Sequence, residues 1–375
     1  MFTLQNTSST TRARAGRILT DHGAIETPVF MPVGTLGSVK AISQDSLVHE
    51  MDAPIILGNT YHLYLRPGNQ IMQDARGIHS FMGWNRPLLT DSGGYQIFSL
   101  ASQRTLSEDG ATFKSHLDGS KHLFTPENVV STQRIIGSDI MMILDECPPW
   151  PCDPTYLEQS ADLTWLWARR GRKEFLESEP KYGHTQAQFG IIQGGTSKEV
   201  RKRSAEQMVS LGFEGNAIGG LSVGEPTDLM YEMTEYTTQF LPEEKPRYLM
   251  GVGTPANLLQ CIARGIDMFD CVMPTRNARN GMIFTPHGTV NIRNARWKNH
   301  HELFDPEFPS ELCSRYFFSY IHHLFRSDEI LGLVLASKHN LIFYIQLMKT
   351  ARKKILDGTF DDWYEDQSRK LERRV

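Results

Sequence analysis

Short apolar runs alternate with amphipathic segments over most of the chain. Each run is rich in Val, Ile, Leu, Phe or Met and is bounded by turn residues, which is typical of a buried strand. The segments between the runs repeat their apolar residues at helical spacing, and they include Ser43–Met51, Pro154–Glu177, Ser197–Leu211, Thr227–Leu241 and Pro255–Gly265. The predicted strands are Thr27–Val33, Pro54–Asn59, Pro87–Gly94, Asp139–Glu146, Gln188–Gly195, Asn216–Ser222, Arg247–Gly253 and Met268–Pro274.

Strands that alternate with helices predict a parallel sheet. The eight predicted strands lie between Thr27 and Pro274, a span close to the roughly 250 residues of a typical TIM barrel. We therefore predict an α/β fold, a TIM (β/α)8 barrel, with residues 1–375 forming a single catalytic domain. A doubly wound sheet is the alternative, but the Gly-rich phosphate turn that follows the first strand of such folds is absent.

An insertion is predicted after the third strand. Residues Ala111–Phe124 alternate about Asp118 and Gly119, which is typical of a β-hairpin. Thr125 is suited to cap the helix that follows, and Pro126 to occupy its first turn.

The composition is that of an ordinary globular protein, with 375 residues, 40% hydrophobic and 22% charged, and a net charge of −4. Any nucleic-acid contact must therefore come from a local basic surface. No run approaches the roughly 20 apolar residues of a membrane span, and the N-terminal residues lack the apolar core of a secretory signal. Five cysteines without close pairing motifs favour reduced thiols and a cytoplasmic protein.

Polar side chains or glycines stand at or just beyond the ends of six consecutive predicted strands. In a TIM barrel these ends form one rim, and active sites lie there. Chance would place one or two such residues at the rim, but hardly the whole set. The residues are Asp91, Asp145, Gln193, Gly219, Gly220, Met250, Gly251 and Asp270.

Asp91 and Asp270 are carboxylates from different strands that are predicted to face one pocket. Such a pair can cleave a glycosidic bond, with one as nucleophile and the other as acid or base. Asp270 interrupts an apolar run, which is costly unless its charge is paired or used. The plainer alternatives are an Asp270 that caps a turn and an Asp91 that forms the turn in TDSGG.

A basic segment follows Asp270. From Cys271 through His301 there is no Asp or Glu, which we interpret as a cationic loop for a polyanionic substrate. Its basic residues are Arg276, Arg279, Arg293, Arg296 and Lys298.

Six blocks, in order and spanning nearly the whole chain, resemble the bacterial tRNA-guanine transglycosylases, also called queuine tRNA-ribosyltransferases. The set is far more specific than any single motif. The blocks are LLTDSGGYQIFS (Leu88–Ser99), LDEC (Leu144–Cys147), GIIQGG (Gly190–Gly195), IGGLSVGE (Ile218–Glu225), YLMGVGTP (Tyr248–Pro255) and MFDCVMPTRNARNG (Met268–Gly281).

The resemblance implies a base-exchange enzyme. In this family, guanine at the wobble position of the tRNAs for aspartate, asparagine, histidine and tyrosine is replaced by a 7-deazaguanine, through double displacement and a covalent ribosyl intermediate. The position of Asp270 carries the nucleophile, and that of Asp91 the proton acceptor for the incoming base. The positions implied in binding the base are Asp91, Ser92, Gly93, Gly94, Tyr95, Asp145, Gln193, Gly219, Gly220, Leu221 and Met250.

The resemblance also implies two segments that contact the anticodon loop of tRNA, where bases can leave their stack. The second is associated with the wobble nucleotide. The segments comprise Gly251, Val252, Gly253, Thr254, Pro255, Ala256 and Asn257, and then Thr275, Arg276, Asn277, Ala278 and Arg279.

The incoming base stays open between 7-aminomethyl-7-deazaguanine, which bacterial relatives take, and queuine, which eukaryotic ones take. Val223 matches the bacterial pattern, whereas eukaryotic relatives have Gly there. Residues Pro148–Trp150 depart from the TPY-like sequence common in bacterial relatives and are expected to reshape one edge of the pocket.

Bacterial relatives bind a structural zinc ion through Cys-x-Cys-x-x-Cys and a distant His, in a helical subdomain that here corresponds to residues 300–345 and helps form the family's homodimer. The four positions fall on Phe308, Ser310, Cys313 and His339. Because only two of these are good ligands, we predict that no metal binds and that apolar packing replaces it. The packing residues are Phe308, Leu312, Tyr316, Phe317, Phe318 and Tyr320.

A shifted zinc site is the alternative, with Cys313 and His339 joined by Glu311, His300, His301, His322 or His323. Two further functional hypotheses also stay open. One is a small-molecule N-glycosidase or ribosyltransferase, which leaves the basic segment unexplained. The other is a non-catalytic RNA-binding subunit, against which the retained Asp91, Asp145 and Asp270 argue.

Overall fold

The computed structural model describes residues 1–100 and 104–375. Its strands, in chain order, are β1 (Phe2–Thr7), β2 (Arg14–Thr20), β3 (Gly23–Thr27), β4 (Val29–Met31), β5 (Ile56–Gly58), β6 (Leu88–Thr90), β7 (Arg104–Ser107), β8 (Gly110–Lys114), β9 (Lys121–Phe124), β10 (Ile140–Met142), β11 (Ala187–Ile192), β12 (Gly215–Ile218), β13 (Arg247–Leu249), β14 (Met268–Asp270), β15 (Met282–Thr285) and β16 (Gly288–Asn291).

Its α-helices are α1 (Thr60–Leu65), α2 (Asn69–Asp74), α3 (Ile78–Met82), α4 (Gly94–Leu100), α5 (Pro126–Ile136), α6 (Pro154–Glu177), α7 (Lys198–Ser210), α8 (Thr227–Thr238), α9 (Pro255–Ala263), α10 (Met273–Arg279), α11 (Glu311–Arg315), α12 (Phe318–Arg326), α13 (Ile330–Leu356) and α14 (Phe360–Leu371). A π-helical turn covers Ser46–Glu50 and a 3-10 helix Ala295–Asn299.

Eight parallel strands form the predicted barrel, in the order β4-β14-β13-β12-β11-β10-β6-β5. The ends of this sheet meet between β4 and β5, where Val33 and Leu57 form a parallel bridge. The backbone amide of Leu57 donates to Pro32 at 3.0 Å, and that of Gly34 to Leu57 at 2.7 Å. The TIM-barrel prediction is therefore confirmed, with strands shorter than the apolar runs suggested.

Burial explains why the runs form strands. All six residues of β11 are buried, because one face of the strand fills the barrel interior and the other lies under helices. Phe189, Ile191 and Ile192 have no exposed surface. The predicted helix Pro154–Glu177 is confirmed, and it begins where the Asp153 side chain accepts from the Tyr156 amide at 3.0 Å.

The predicted hairpin is confirmed as β8 and β9, which pair antiparallel. Sequence reading missed β7, which pairs with β8 and extends the insertion to three strands. It also missed the N-terminal sheet β1-β2-β3. This sheet covers the N-terminal end of the barrel, where Arg14 of β2 contacts Asp267, the residue before β14.

The prediction that the basic segment is a loop was wrong. Residues Met273–Arg279 form α10, and β15 and β16 then form an antiparallel hairpin. Pro274 in the first turn of α10 is compatible with a helix, and residues Pro274, Thr275 and Ala278 are buried.

A C-terminal helical region, predicted from the resemblance, is present as α11 to α14. Residues from β15 to α13, such as Ile283, Trp297, Leu312 and Phe325, share a second apolar cluster. The cluster joins the hairpin to α11, α12 and the first part of α13, so the boundaries of 300–345 stay a prediction.

Helix α13 alters one expectation. Among the described residues it is the one helix long and apolar enough to cross a membrane, contrary to the reading that no segment qualifies. However, 67% of its most apolar window is buried inside the protein. It packs against α10, β4 and β15, as the core helix of a globular domain does.

Candidate active site

A cavity of about 350 Å3 opens at the C-terminal rim of the barrel. Its size is within the range of small-molecule sites. The structure brings all eleven residues predicted to bind the base to this cavity, together with Asp270. The lining residues used below are Asn59, Asp91, Ser92, Gly94, Tyr95, Asp145, Gln193, Gly220, Leu221, Val223, Tyr248, Met250, Gly251 and Asp270.

Asp270 is the last residue of β14, and neutral donors hold it. The Tyr248 hydroxyl donates to Oδ1 at 2.6 Å and the Gly251 amide donates to the same oxygen at 2.8 Å. Burial raises the pKa of Asp270, although both hydrogen bonds favour the ionised form. Within the described residues no side chain donates to Oδ2, which leaves that oxygen available to a reactant.

Asp91 follows β6, and two residues that follow the neighbouring strand β5 donate hydrogen bonds to it. The Asn59 side chain donates to Oδ2, and the Thr60 amide donates to Oδ1 at 2.9 Å. Burial raises the pKa of Asp91 to about 7, against the effect of these hydrogen bonds, and the charge of Asp270 adds to the rise. At neutral pH such a carboxyl can both release and accept a proton.

Asp145 lies beyond the end of β10. Gln193 donates to Oδ2 at 2.7 Å and the Ser92 hydroxyl to Oδ1 at 3.2 Å. Burial raises the pKa of Asp145 to about 6, and these hydrogen bonds oppose the rise. A Cβ at Gly94 would lie 2.5 Å from the Asp145 carbonyl oxygen, so only glycine lets α4 begin this close.

Gln193 presents an unused acceptor. Its Oε1 is buried and has no hydrogen-bond partner among the described residues. Gly220 has a φ of +62°, and a Cβ there would overlap this oxygen. Arg201, fully buried, donates to the Gly220 carbonyl at 3.2 Å and holds the loop beside the cavity. A buried acceptor without a partner is suited to receive a ligand N–H.

Tyr95, Leu221 and Met250 give the cavity apolar surface. Tyr95 is 50% exposed, whereas Leu221 is buried. Trp150, in the segment that departs from the family pattern, lies outside the cavity lining and packs near Gly224, the neighbour of Val223. Its effect on the pocket edge would therefore act through the loop that carries Val223.

Two hydrogen-bonding residues of this cavity were missed from the sequence. Asn59 ends the second predicted strand, and its position beside the strand's C-terminal end was a usable signal. Tyr248 lies inside the seventh strand, where an aromatic residue is most simply interpreted as core. Only the structure shows that its hydroxyl reaches Asp270.

The first predicted RNA-contacting segment forms the turn and first residues of α9. The Thr254 hydroxyl accepts from the Asn257 amide at 3.3 Å, and the Asn257 side chain accepts from the Thr254 amide at 3.0 Å, as a capping box. Gly251, Thr254 and Asn257 reach the surface, whereas Val252, Gly253, Pro255 and Ala256 are buried.

The second predicted RNA-contacting segment lies on α10. Thr275 and Ala278 are buried and Asn277 is half-buried, while Arg276 is exposed near Cys271. Arg279 is half-buried, and one of its terminal nitrogens has no hydrogen-bond partner in the described part of the chain. Neither arginine forms an ion pair with a carboxylate of the described residues, so both charges remain available to an anion.

The four positions at which the family resemblance implies zinc ligands lie close together. Ser310 Oγ lies 2.8 Å and Cys313 Sγ 3.4 Å from His339 Nδ1, and the Phe308 ring lies 5.2 Å from the imidazole. His339 Nε2 donates to the Phe284 carbonyl at 2.7 Å. This donor set does not fit a structural zinc ion, because Phe308 offers no ligand atom and a neutral hydroxyl binds zinc poorly.

Burial shifts the pKa values of His339 and Cys313. It lowers the pKa of His339 to about 4 and raises the pKa of Cys313 to about 12, which favours a neutral imidazole and a thiol. Of the aromatic residues expected to pack here, Phe318 is buried, while Phe317 is 47% and Tyr320 39% exposed.

Fold and cavity together define a TIM barrel whose C-terminal rim, where enzymes of this fold have their active sites, holds a cavity lined by Asp91, Asp145 and Asp270. The family model described as queuine tRNA-ribosyltransferase matches residues 8–373. The chain belongs to this family, and it is an enzyme of the glycosyltransferase type.

Curated relatives agree over almost the whole length. A queuine tRNA-ribosyltransferase of Caldanaerobacter subterraneus is 52% identical over 356 residues, which cover 95% of this chain and 93% of that protein. Proteins with the same name from Ruminiclostridium cellulolyticum and Desulforapulum autotrophicum are each 51% identical, over 95% and 99% of this chain and 94% and 99% of their own lengths.

Proposed function

We propose that this enzyme exchanges guanine at the wobble position of tRNA for a 7-deazaguanine, by double displacement through a ribosyl group attached to Asp270. The supporting observation is a pair of desolvated carboxyls, Asp91 and Asp270, in a cavity to whose lining the described residues contribute no lysine or arginine. The raised pKa of Asp91 suits a proton carrier, and the hydrogen bonds that favour the ionised form of Asp270 suit a nucleophile.

In the first step, Asp270 Oδ2 attacks C1′ of the target ribose. A carbon–oxygen bond forms, the bond from C1′ to N9 of guanine breaks, and guanine leaves with the electron pair and takes up the proton that a protonated Asp91 releases. In the second step, the incoming base loses its N9 proton to Asp91 and attacks C1′, which releases the Asp270 carboxylate. The pKa of Asp91, about 7, suits this proton transfer.

Recognition of the base rests on Asp145 and Gln193. An ionised Asp145 accepts hydrogen bonds from N1–H and the exocyclic amine of a guanine-like edge, and Gln193 Oε1 accepts another. In the free protein the two oxygens of Asp145 are already held by Gln193 and Ser92. Base binding therefore adds to a preformed acceptor network, while Tyr95 and Met250 cover the faces of the ring.

Recognition of tRNA rests on Arg276 and Arg279, whose charges are unpaired by carboxylates of the described residues, and on the exposed positions of the α9 turn. The proposed substrates are the tRNAs for aspartate, asparagine, histidine and tyrosine, and the proposed location is the cytoplasm. For the incoming base, Val223 in the cavity lining favours 7-aminomethyl-7-deazaguanine over queuine.

The direct test is release of labelled guanine from tRNA by the purified enzyme. We expect release that depends on an added 7-deazaguanine, and a denaturant-resistant enzyme–tRNA species when the second base is withheld. A competition between the two deazaguanines identifies the incoming base. Release of a base from free nucleosides but not from tRNA would favour the small-molecule glycosidase, and tRNA binding without any release would favour the non-catalytic subunit.

We also propose a homodimer without structural zinc. The C-terminal helical region has exposed apolar side chains that a partner can cover, and they are Phe317, Tyr320, Ile330 and Leu331. Sedimentation analysis of the wild type and of Ile330→Glu tests the dimer. A wild type that stays monomeric at micromolar concentration contradicts it.

A further inference from the structure

Three histidines converge at the N-terminal end of the barrel, opposite the cavity. His22 lies in the turn between β2 and β3, His79 in α3, and His184 in the loop before β11. One ligand nitrogen from each lies within 4.8 Å of the other two, an arrangement close enough to hold a metal ion. We infer that these imidazoles form a binding site for one divalent transition-metal ion, separate from the catalytic rim.

Hydrogen bonds determine which tautomer a neutral His79 or His184 adopts. His79 Nδ1 lies 2.9 Å from the Trp84 carbonyl oxygen, and His184 Nε2 lies 3.0 Å from the Gly137 carbonyl oxygen. Because a carbonyl oxygen only accepts, each of these nitrogens carries the proton. The opposite nitrogen of each neutral ring therefore keeps a lone pair, as in histidines that ligate metals.

A hydrogen bond to Asp139 determines the tautomer of His22 in the same way. Its Oδ1 lies 2.8 Å from His22 Nδ1, and the Leu88 amide donates to Oδ2 at 2.8 Å. A carboxylate oxygen accepts, so Asp139 Oδ1 accepts a hydrogen bond from His22 Nδ1. This leaves His22 Nε2 free, in the carboxylate–histidine arrangement common behind metal ligands.

One contact is suited to a cation. His79 Nε2 is buried without a hydrogen-bond partner among the described residues, and it lies 3.3 Å from Asp139 Oδ2. Unless a proton occupies Nε2, its lone pair repels this oxygen, and a metal ion between the two atoms removes the repulsion. Imidazole nitrogens together with one carboxylate suit Zn²⁺, Co²⁺, Ni²⁺ or Cu²⁺.

The three imidazole nitrogens must move closer together to bind one ion. Metal–nitrogen bonds of about 2.0–2.1 Å place tetrahedral ligands roughly 3.3 Å apart, so the nitrogens must approach from at most 4.8 Å. The His22 and His184 rings are in edge contact, with centroids 4.7 Å apart, whereas the His22 and His79 rings stack with centroids 3.7 Å apart. Because the lone pairs of stacked rings are parallel, His22 or His79 must rotate for both to bind one ion. Side-chain exposure of 23% at His22 and 12% at His79 gives the ion a path from solvent. A bound ion would fasten the N-terminal sheet to the barrel.

The test uses the full-length, metal-free protein, titrated with Zn²⁺ by calorimetry and with Co²⁺ by visible absorption. The variants are His79→Gln and His184→Gln, with His49→Gln as a matched control because its side chain is 72% exposed and lies elsewhere. We expect one equivalent at micromolar or lower Kd in the wild type and control, at least about 30-fold weaker binding in both variants, and a rise in Tm with Zn²⁺ that the variants lose.

Circular dichroism and guanine exchange without added metal check that the variants fold. No binding by the wild type up to about 1 mM Zn²⁺, or equal binding by folded His79→Gln, would overturn the inference. So would binding that disappears in Cys313→Ser but persists in His79→Gln and His184→Gln, since the ion would then lie in the C-terminal region.

Discussion

Asp267 immediately precedes β14 and Asp270 is its last residue, and the two ends of the barrel give these carboxylates opposite kinds of partner. At the N-terminal end, Asp267 is fully buried and accepts from both Arg14 Nε at 2.8 Å and Arg14 Nη2 at 2.7 Å. At the cavity end, Asp270 receives only the neutral donors Tyr248 and Gly251. One carboxylate is neutralised by a cation, and the other is not.

The same contrast holds for the two aspartates on either side of β10. Asp139 precedes it and contacts His22 and His79, and its pKa is lowered. Asp145 follows it, is held by neutral groups, and has a pKa raised to about 6. Within the described residues, no ion pair includes any of the three cavity aspartates.

The difference separates stability from function. Pairing with a cation offsets the free-energy cost of burying a carboxylate, and removing one partner of such a pair strongly destabilises the folded protein. A buried carboxylate without a cation destabilises the folded protein, and such groups are kept where substrate uses them. The carboxylates at the rim are therefore buried without a cationic partner, whereas those at the N-terminal end contact Arg14 or histidines.

The largest expected effect on activity follows from Asp270→Asn. An amide cannot attack C1′, so guanine exchange should fall by roughly 10⁴-fold or more, while tRNA affinity stays within about 3-fold, because this change removes no phosphate contact. Exchange assays and a tRNA-binding titration measure both. Substantial turnover by Asp270→Ala would show that the nucleophile lies elsewhere.

The corresponding change at the other end, Asp267→Asn, should act on stability. It leaves the Arg14 charge buried and unpaired, at a cost of about 3–5 kcal/mol in the free energy of unfolding. Urea denaturation measures this loss, and exchange per folded molecule should persist. Asp270→Asn is the matched control and should leave the unfolding free energy equal or higher. Equal destabilisation by both variants would remove the contrast between the two ends.

Asp91 provides a pH test. Its folded-state pKa of about 7 lies above the ordinary value of 3.8, so the folded state holds the proton more tightly. Its contribution to stability is therefore complete below pH 3.8 and is lost as pH rises toward 7. Asp91→Asn should match the wild type near pH 4 and exceed its stability at pH 8, measured by urea denaturation. Exchange by the wild type should change with an apparent pKa near 7. An unchanged stability difference across this range would contradict the assignment.

The arginines of α10 offer a smaller effect. Replacing Arg276 and Arg279 with Ala should weaken tRNA binding and lower the salt slope by roughly 0.7–0.9 for each phosphate that the protein no longer neutralises. Lys173→Ala combined with Lys353→Ala is the matched control, since these side chains are 74% and 77% exposed on other helices. Impaired catalysis with an unchanged affinity and salt slope would count against a backbone-binding role.

The smallest expected effect concerns the C-terminal region. Cys313→Ser should leave the metal content unchanged, because we propose that no zinc binds there. The double change Phe308→Cys and Ser310→Cys completes the family's ligand set beside Cys313 and His339, and it should add about one equivalent of zinc. Elemental analysis measures both. Near-stoichiometric zinc that is lost together with folding in Cys313→Ser would show that the wild type retains a zinc site.

Local pattern predicted the barrel and most of its rim. Apolar runs of strand length alternating with helical periods specify a parallel sheet, and parallel strands end on one side. Asp91, Asp145, Gln193 and Asp270 could therefore be assigned to one site by their place after each run. The start of α6 was also local information, because the Asp153 cap and Pro154 stand together in the chain.

Other features depend on contacts between distant parts of the chain. Arg14 and Asp267 are separated by 253 positions, and no local pattern indicates that they meet. The N-terminal sheet was missed for the same reason, since its short strands are stabilised by the barrel end they cover. The basic segment was misread because its charges obscured the apolar face of α10, whose burial against α13 decides that it is helical.

The sequence by itself determined which carboxylates reach the rim, because strand direction alone places them there. Only the tertiary structure decided their electrostatic state, because burial and partners such as Tyr248 and Asn59 come from other strands. It likewise decided that His22, His79 and His184 meet. The turn, the helix and the loop that carry them are far apart in the chain and come together only when the barrel forms.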